Sequence, residues 1–185
     1  ENRISVAPHA SGERVLDLFC YSGGFTMNAL RAGCVAVDAV DSSQGALDML
    51  RANIEANVSA NKLAADALGK VNAIRSDSFE YLRSIETGLY GLIILDPPKL
   101  AKTQSQVDGA MKAYKDINRV AMGKVRQGGL VASFSCSGAI SREQFNTLLA
   151  WAAKDAGKEV QTVRHLGQPL DHPIRLSFPE SEYLK

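Results

Sequence analysis

Two features of the chain predict an α/β fold with a mostly parallel sheet and helices on both faces. Short apolar runs alternate with segments of helical periodicity, and glycines sit where those helices should stop. Strands that alternate with helices build a sheet covered on both faces. The 185 residues are 45% apolar and 22% charged. That is ordinary globular composition and enough chain for one domain with a single core.

The first apolar run, residues 14–19, leads into Gly23-Gly24 and a short helix over 25–32, which Gly33 ends. A second run, 36–41, precedes a helix over 44–57 whose Ala46, Leu47, Leu50 and Ile54 fall on one face. Residues 58–70 read as a loop with a marginal helical turn. The third run, 71–76, is followed by a helix over 79–85 and by Gly88. The fourth run, 92–96, enters a polar stretch, 100–111, which reads as a loop over the active site. A helix over 113–125 stops before Gly128-Gly129, and the fifth run covers 130–134. Ser141 suits the N-cap of a helix over 142–156, closed by Gly157. A sixth run at 160–165 and a shorter one at 174–178 complete the set.

Net charge is +1 and the pI about 8.0. A strongly basic nucleic-acid-binding domain is therefore not expected, and any RNA contact must be local or come from another domain. Three cysteines, Cys20, Cys34 and Cys136, with no CxxC pair argue against a disulfide framework or a metal site and fit a reducing cytoplasm. No apolar run approaches the ~20 residues that span a bilayer. The chain opens at Glu1 without a methionine, which reads as a fragment of a longer protein.

Chemistry concentrates at the strand ends. VLDLFCYSGGF runs from a strand into two glycines and a helix, where backbone can approach a ligand and helix N–H groups are free. It lacks the three-glycine dinucleotide fingerprint and the GK[ST] of a phosphate loop. Asp41 ends the second run, where an acid accepts bonds from ribose hydroxyls or caps a helix; the glycine turn favours the ligand. Asp77 repeats the arrangement after the third run, facing an adenine amino group or capping the next helix. LIILDPPK holds the Asp96 carboxylate on a backbone stiffened by Pro97 and Pro98, suited to the amino and ring-nitrogen edge of a base. In LVASFSCSG, Cys136 lies just past the fifth strand, beside the Asp96 strand, as an accessible thiol between serines. Cys20 and Cys34 read as core residues.

Taken together, DLFCYSGGF, VDSSQGAL, SDSF, LDPPK, YKDIN, GGLVASFSCSG and DHP resemble the bacterial large-subunit rRNA (cytosine-C5) methyltransferase I family, and more broadly the class I methyltransferases that use S-adenosylmethionine (SAM). The likeness runs from Arg14 to Lys185 with the motifs in order. It implies a Rossmann-like, seven-stranded sheet whose last strand, near 174–178, is antiparallel. It implies SAM contacts at Phe19, Tyr21, Ser22, Gly23, Gly24, Ser42 and Pro97, with Asp41 on the ribose, Asp77 near adenine, and Asp96 between cofactor and base. Cys136 takes the place of the family's nucleophile. Lys99 stands where related RNA cytosine enzymes carry a second cysteine, so release by a second thiol is not supported. Pro98, Lys99, Lys115 and Arg119 are candidates for contact with ribosomal RNA of the large subunit. His172 in DHP reads as part of a turn before Pro173. The resemblance also implies an upstream PUA-type RNA-binding domain outside this chain, with residues 1–13 the tail of that segment and 14–185 the catalytic domain.

C5 of cytosine is a poor nucleophile until a thiolate adds at C6, so Cys136 separates this reading from methylation of a purine nitrogen or a small molecule. Asp96 is the candidate proton donor or holder at the base. An inactive SAM-binding RNA adaptor is the non-enzyme alternative, and the intact Asp96 and Cys136 argue against it. A nicotinamide dehydrogenase is disfavoured by the missing third glycine.

Overall fold

A computed structural model describes residues 1–101, 103–168, 172–178, 181 and 183–185. Helix α1 (Asn2–Val6) and a 3-10 turn (Ala7–Ala10) lead into β1 (Arg14–Leu18) and α2 (Gly24–Arg31). Then come β2 (Ala36–Asp41), α3 (Gln44–Ser59), β3 (Val71–Arg75), α4 (Ser78–Ser84), β4 (Leu92–Leu95), α5 (Val107–Lys124), β5 (Leu130–Ser133) and α6 (Arg142–Ala156). The chain falls into two compact units. One holds Arg3–Asp96 with Lys124–Ala132, and the other Pro97–Gly123 with Ser133–Lys185.

The first unit carries the sheet, in strand order β3-β2-β1-β4-β5. β1 lies parallel between β2 and β4, with Val15 opposite both Val37 and Leu92 and Asp17 opposite both Ala39 and Ile94. Val15, Leu16, Leu18, Val37, Ala39, Val40, Ile93 and Leu95 are sealed from water. That explains the unbroken apolar runs: a parallel strand covered on both faces has no solvent side on which to alternate. Strand order reverses at β1. With right-handed crossovers, α2 and α3 lie on one face and α4 on the other, which leaves a crevice at the carboxyl ends of β1 and β4.

Two carboxylates interrupt this core. Asp38 is matched by Arg14 (Nη2 to Oδ2 3.1 Å) and by the Tyr90 hydroxyl, which donates to it. Asp17 has no basic partner in hydrogen-bond reach. Within residues 1–13, Val6 and Ala10 are buried.

The second unit is built around Ala101, Val107, Ala110, Tyr114, Ile140, Phe145 and Leu148. The Tyr114 and Phe145 rings meet edge to face at 5.7 Å. Ser141 caps α6 with a reciprocal capping box to Gln144, and Gly157 closes the helix in the left-handed conformation.

Where the structure departs from expectation, the reasons are local. Five strands, not seven, form among the described residues, and none is antiparallel. In 160–165 the only apolar residues, Val160 and Val163, are an odd number of positions apart, so a strand would point them to opposite faces; both are exposed. In 174–178 the chain turns back on itself in a single antiparallel bridge between Arg175 and Phe178, leaving Leu176 98% exposed. The stretch 100–111 is not all loop. α5 begins at Val107, because Val107, Ala110 and Tyr114 supply a buried helical stripe and Asp108 an acid in the first turn. No described helix is long and apolar enough to cross a membrane.

Candidate active site

In the first unit the turn after β1 is wound unusually tightly. Phe19 (φ 60°) and Tyr21 (φ 48°) adopt left-handed backbone without being glycine, and Gly23 (φ 84°) follows. Such conformations cost about 1–3 kcal/mol each and persist only where neighbours enforce them. Here Phe19 N–H donates to Ser78 Oγ (3.3 Å), Cys20 N–H to the Val40 carbonyl (3.0 Å), and Tyr21 N–H to Asp41 Oδ2 (3.0 Å). The Ser22 carbonyl accepts from Asn53 Nδ2 (3.0 Å). Three separate elements therefore pin the turn.

Asp41 is not the cap of α3. Ser43 is, accepting from Ala46 N–H, while Asp41 Oδ1 takes the Ser43 N–H at 2.9 Å. Asp41 thus ties the β1 turn to the start of α3, and a carboxylate has further lone pairs to offer. Ser42 is exposed beside it, and its carbonyl accepts from Arg75. Asp77 is the N-cap of α4: Oδ1 receives the N–H groups of Phe79 and Glu80 at 2.9 and 3.0 Å. Above it the Phe19 and Phe79 rings pack edge to face at 5.8 Å.

The two glycines serve different purposes. A β-carbon at Gly23 would lie 2.0 Å from Leu50 Cδ1, so Gly23 answers to packing and to its backbone conformation. A β-carbon at Gly24 would lie 2.6 Å from Cζ and Nε of Arg3. Gly24 is small because a guanidinium lies over it.

Asp17 is 1% exposed and accepts from the Thr26 N–H (3.0 Å) and hydroxyl (2.6 Å), both on Oδ2. Its Oδ1 is buried without a partner. Burial, only partly offset by the Thr26 bonds, pushes its carboxyl up to about 7. The half-buried Asp96 is raised too, by desolvation, with Arg3 pulling the other way. Neither Asp17 nor Arg3 stood out from the sequence. For Asp17 the signal was there, as a lone acid inside the apolar VLDLF strand; Arg3 was set aside with the leading residues.

In the second unit the segment Ser135–Cys136–Ser137 is held on both sides. Ser135 N–H and carbonyl pair with the Lys185 carbonyl (2.9 Å) and N–H (3.0 Å). Ser137 Oγ accepts from Ala101 N–H and meets the Tyr114 hydroxyl, each at 3.2 Å. Both serines are fully buried, and the residue between them is turned outward: Cys136 is partly exposed, with Sγ 3.8 Å from the Pro97 carbonyl. Pro97 is buried, whereas Pro98 and Lys99 are exposed. Cys20 and Cys34 are buried, and burial raises both thiols, as suits core residues.

Lys115 and Arg119 line an open cleft of about 220 Å³ between α5 and α6 with Lys112, Asp116 and Asp155. Each already has a carboxylate, Lys115 with Asp155 (2.6 Å) and Arg119 with Asp116 (2.8 Å). A phosphate there must compete with those acids. His172 packs edge to face on Tyr183 at 6.3 Å, whereas Asp171 of DHP lies outside the described residues. Among the described residues no group of three or more metal-ligand side chains converges.

The family described as S-adenosylmethionine-dependent methyltransferase matches residues 2–175. Ribosomal RNA large subunit methyltransferase I of Serratia proteamaculans is 41% identical over 187 aligned residues, which take in 100% of this chain and 46% of that protein. The Escherichia coli protein of the same name is 40% identical with the same coverage. The chain thus spans about half the length of these relatives. Among solved structures, SMU.776 complexed with SAH superposes with a TM-score of 0.76 at 25% identity, over 98% of this chain and 46% of that one. TrmN from Thermus thermophilus, 24% identical over 81% of this chain and 39% of its own, shares the fold with a TM-score of 0.55.

Proposed function

Because this chain belongs to the S-adenosylmethionine-dependent methyltransferase family, we propose that it is the catalytic part of an RNA methyltransferase that forms 5-methylcytosine in large-subunit ribosomal RNA. Large-subunit ribosomal RNA is the substrate class in the names of its relatives, and the cytoplasm is the compartment that follows from it. The observation that carries the cytosine reading is Cys136, a thiol presented between two buried serines at the DPPK turn. A purine nitrogen needs no such group.

The first unit fits the cofactor. A tight turn, a ring edge, the Asp41 carboxylate and a buried acid with a free oxygen offer what a ribose, an adenine and an ammonium would need. Phe19, Tyr21, Ser22, Gly23, Gly24, Asp41, Ser42, Asp77 and Asp96 would hold SAM, which supplies an electrophilic methyl group on sulfur. The chain's own chemistry is at the base. The Cys136 thiolate forms a bond to C6 of cytosine, and the C5–C6 π electrons move to make C5 a carbon nucleophile. Asp96, whose carboxyl is shifted upward by desolvation against the pull of Arg3, would share a proton with N3 or hold the amino edge as charge builds. After C5 is methylated, its proton passes to water, the electrons of that C–H bond restore the C5–C6 double bond, and the C6–S bond breaks to release the Cys136 thiolate. Pro98 and Lys99, with Lys115 and Arg119, lie on the RNA side.

The test is RNA carrying 5-fluorocytidine at the target, which cannot lose fluorine as a proton. It should trap a covalent adduct with wild type, with Cys20→Ala and with Cys34→Ala, but not with Cys136→Ala, which should still bind SAM. An adduct or methylated product formed by the Cys136 variant would refute the thiolate mechanism.

A further inference from the structure

Arg3 is left unused by the proposed chemistry. It stands on α1, and its guanidinium lies over the backbone of Gly24, the first residue of α2. It also sits 5.9 Å from the centroid of the Phe25 ring. Among the described residues none of its N–H groups makes a hydrogen bond or an ion pair, although Arg3 is close enough to Asp17 and Asp96 to act on both electrostatically. An arginine held at a ligand-binding turn with its planar fork unpaired is suited to a carboxylate, which it can grip with two parallel bonds. A second observation points to the same ligand class. Asp17, within the field of Arg3, keeps Oδ1 buried and unpartnered. One unpaired cationic fork and one carboxyl oxygen without a partner together match an amino-acid zwitterion, with the carboxylate at one and the ammonium at the other.

We propose that Arg3 binds the α-carboxylate of the methionine portion of SAM over the Gly24 backbone, and so makes the leading helix part of the cofactor site. This rests on the SAM reading above. It also gives Gly24 a reason to be glycine, since any side chain there would displace the guanidinium.

Decarboxylated SAM separates this contact from every other one. It keeps the adenosine, the sulfonium and the amine and lacks only the carboxylate. Calorimetry on the intact chain should find wild type binding SAM at least tenfold more tightly than decarboxylated SAM. Arg3→Ala should weaken SAM on the order of tenfold, the usual worth of a charged hydrogen-bonded pair, and leave decarboxylated SAM unchanged. Arg3→Lys, which keeps the charge and loses the fork, should fall between. Equal weakening of both ligands by Arg3→Ala would mean that Arg3 supports the turn and does not touch the carboxylate. Unchanged SAM affinity would also overturn the assignment. Failure of the wild-type chain to bind either ligand would instead sink the cofactor reading, and this contact with it.

Discussion

Asp17 shows how one atom couples stability to function. Its side chain lies in the middle of β1, out of contact with water, and both donors it receives come from Thr26. The nearest charges are Asp96, which raises its pKa, and Arg3, which lowers it, and burial outweighs both. The folded carboxyl titrates near 7 against an ordinary 3.8, so the folded state holds a proton that the unfolded chain has released. Stability from this group is therefore present at low pH and is lost as pH rises through about 7, by on the order of 4 kcal/mol from the two pKa values. Asp17→Asn keeps an acceptor for Thr26 and removes the charge. Urea unfolding from pH 4 to 8 should show wild type losing stability relative to the Asn variant between about pH 4 and 7 and running parallel to it above that. Curves parallel throughout would mean that Asp17 is not the titrating group.

At the scale of an element, the turn between β1 and α2 stores the strain. Gly23 combines a left-handed φ with Leu50 pressed against its Cα. Gly23→Ala should cost on the order of 2–4 kcal/mol, part conformational and part overpacking. Leu50→Ala, itself costly as a cavity, should make room for the methyl group. Urea denaturation of the double variant should therefore show a smaller loss than the two single losses added. Strict additivity would remove the steric share. Other elements were legible in advance to differing degrees. β2 and α6 have the bounds their patterns predict, because Val37 to Val40 form an unbroken buried run and α6 carries a capping box and a terminal glycine. The start of α5 was hidden by polar residues whose helical stripe shows only every third or fourth position. The 160–165 run misled because two valines resemble a strand until their faces are counted. The partial exposure of Cys136 was legible from its place after a strand and between serines. Arg3 was not, since nothing in its local sequence reveals that it lies over Gly24, which is far along the chain.

At the scale of the molecule, the sheet order β3-β2-β1-β4-β5 decides where a ligand can sit, and with net charge +1 the chain has little general attraction for RNA. That order also bears on how the molecule comes into being. Val15 pairs with Val37 on one side, a nearby stretch of chain, and with Leu92 on the other, across all of β2, α3, β3 and α4. Closing the second pairing costs more chain entropy and is the slower kind of contact to form. During refolding from urea, the far-UV circular dichroism signal should recover first and SAM-binding capacity, sampled by stopped-flow mixing with labelled cofactor, should lag behind it. Coincident rates would mean that β1 and β4 join along with the rest. The expected crevice lies at the ends of β1 and β4, so a chain that has not yet joined those strands offers the cofactor an incomplete site. Binding then acts as a check on complete folding: it adds stability to finished molecules alone and leaves half-assembled ones to be cleared.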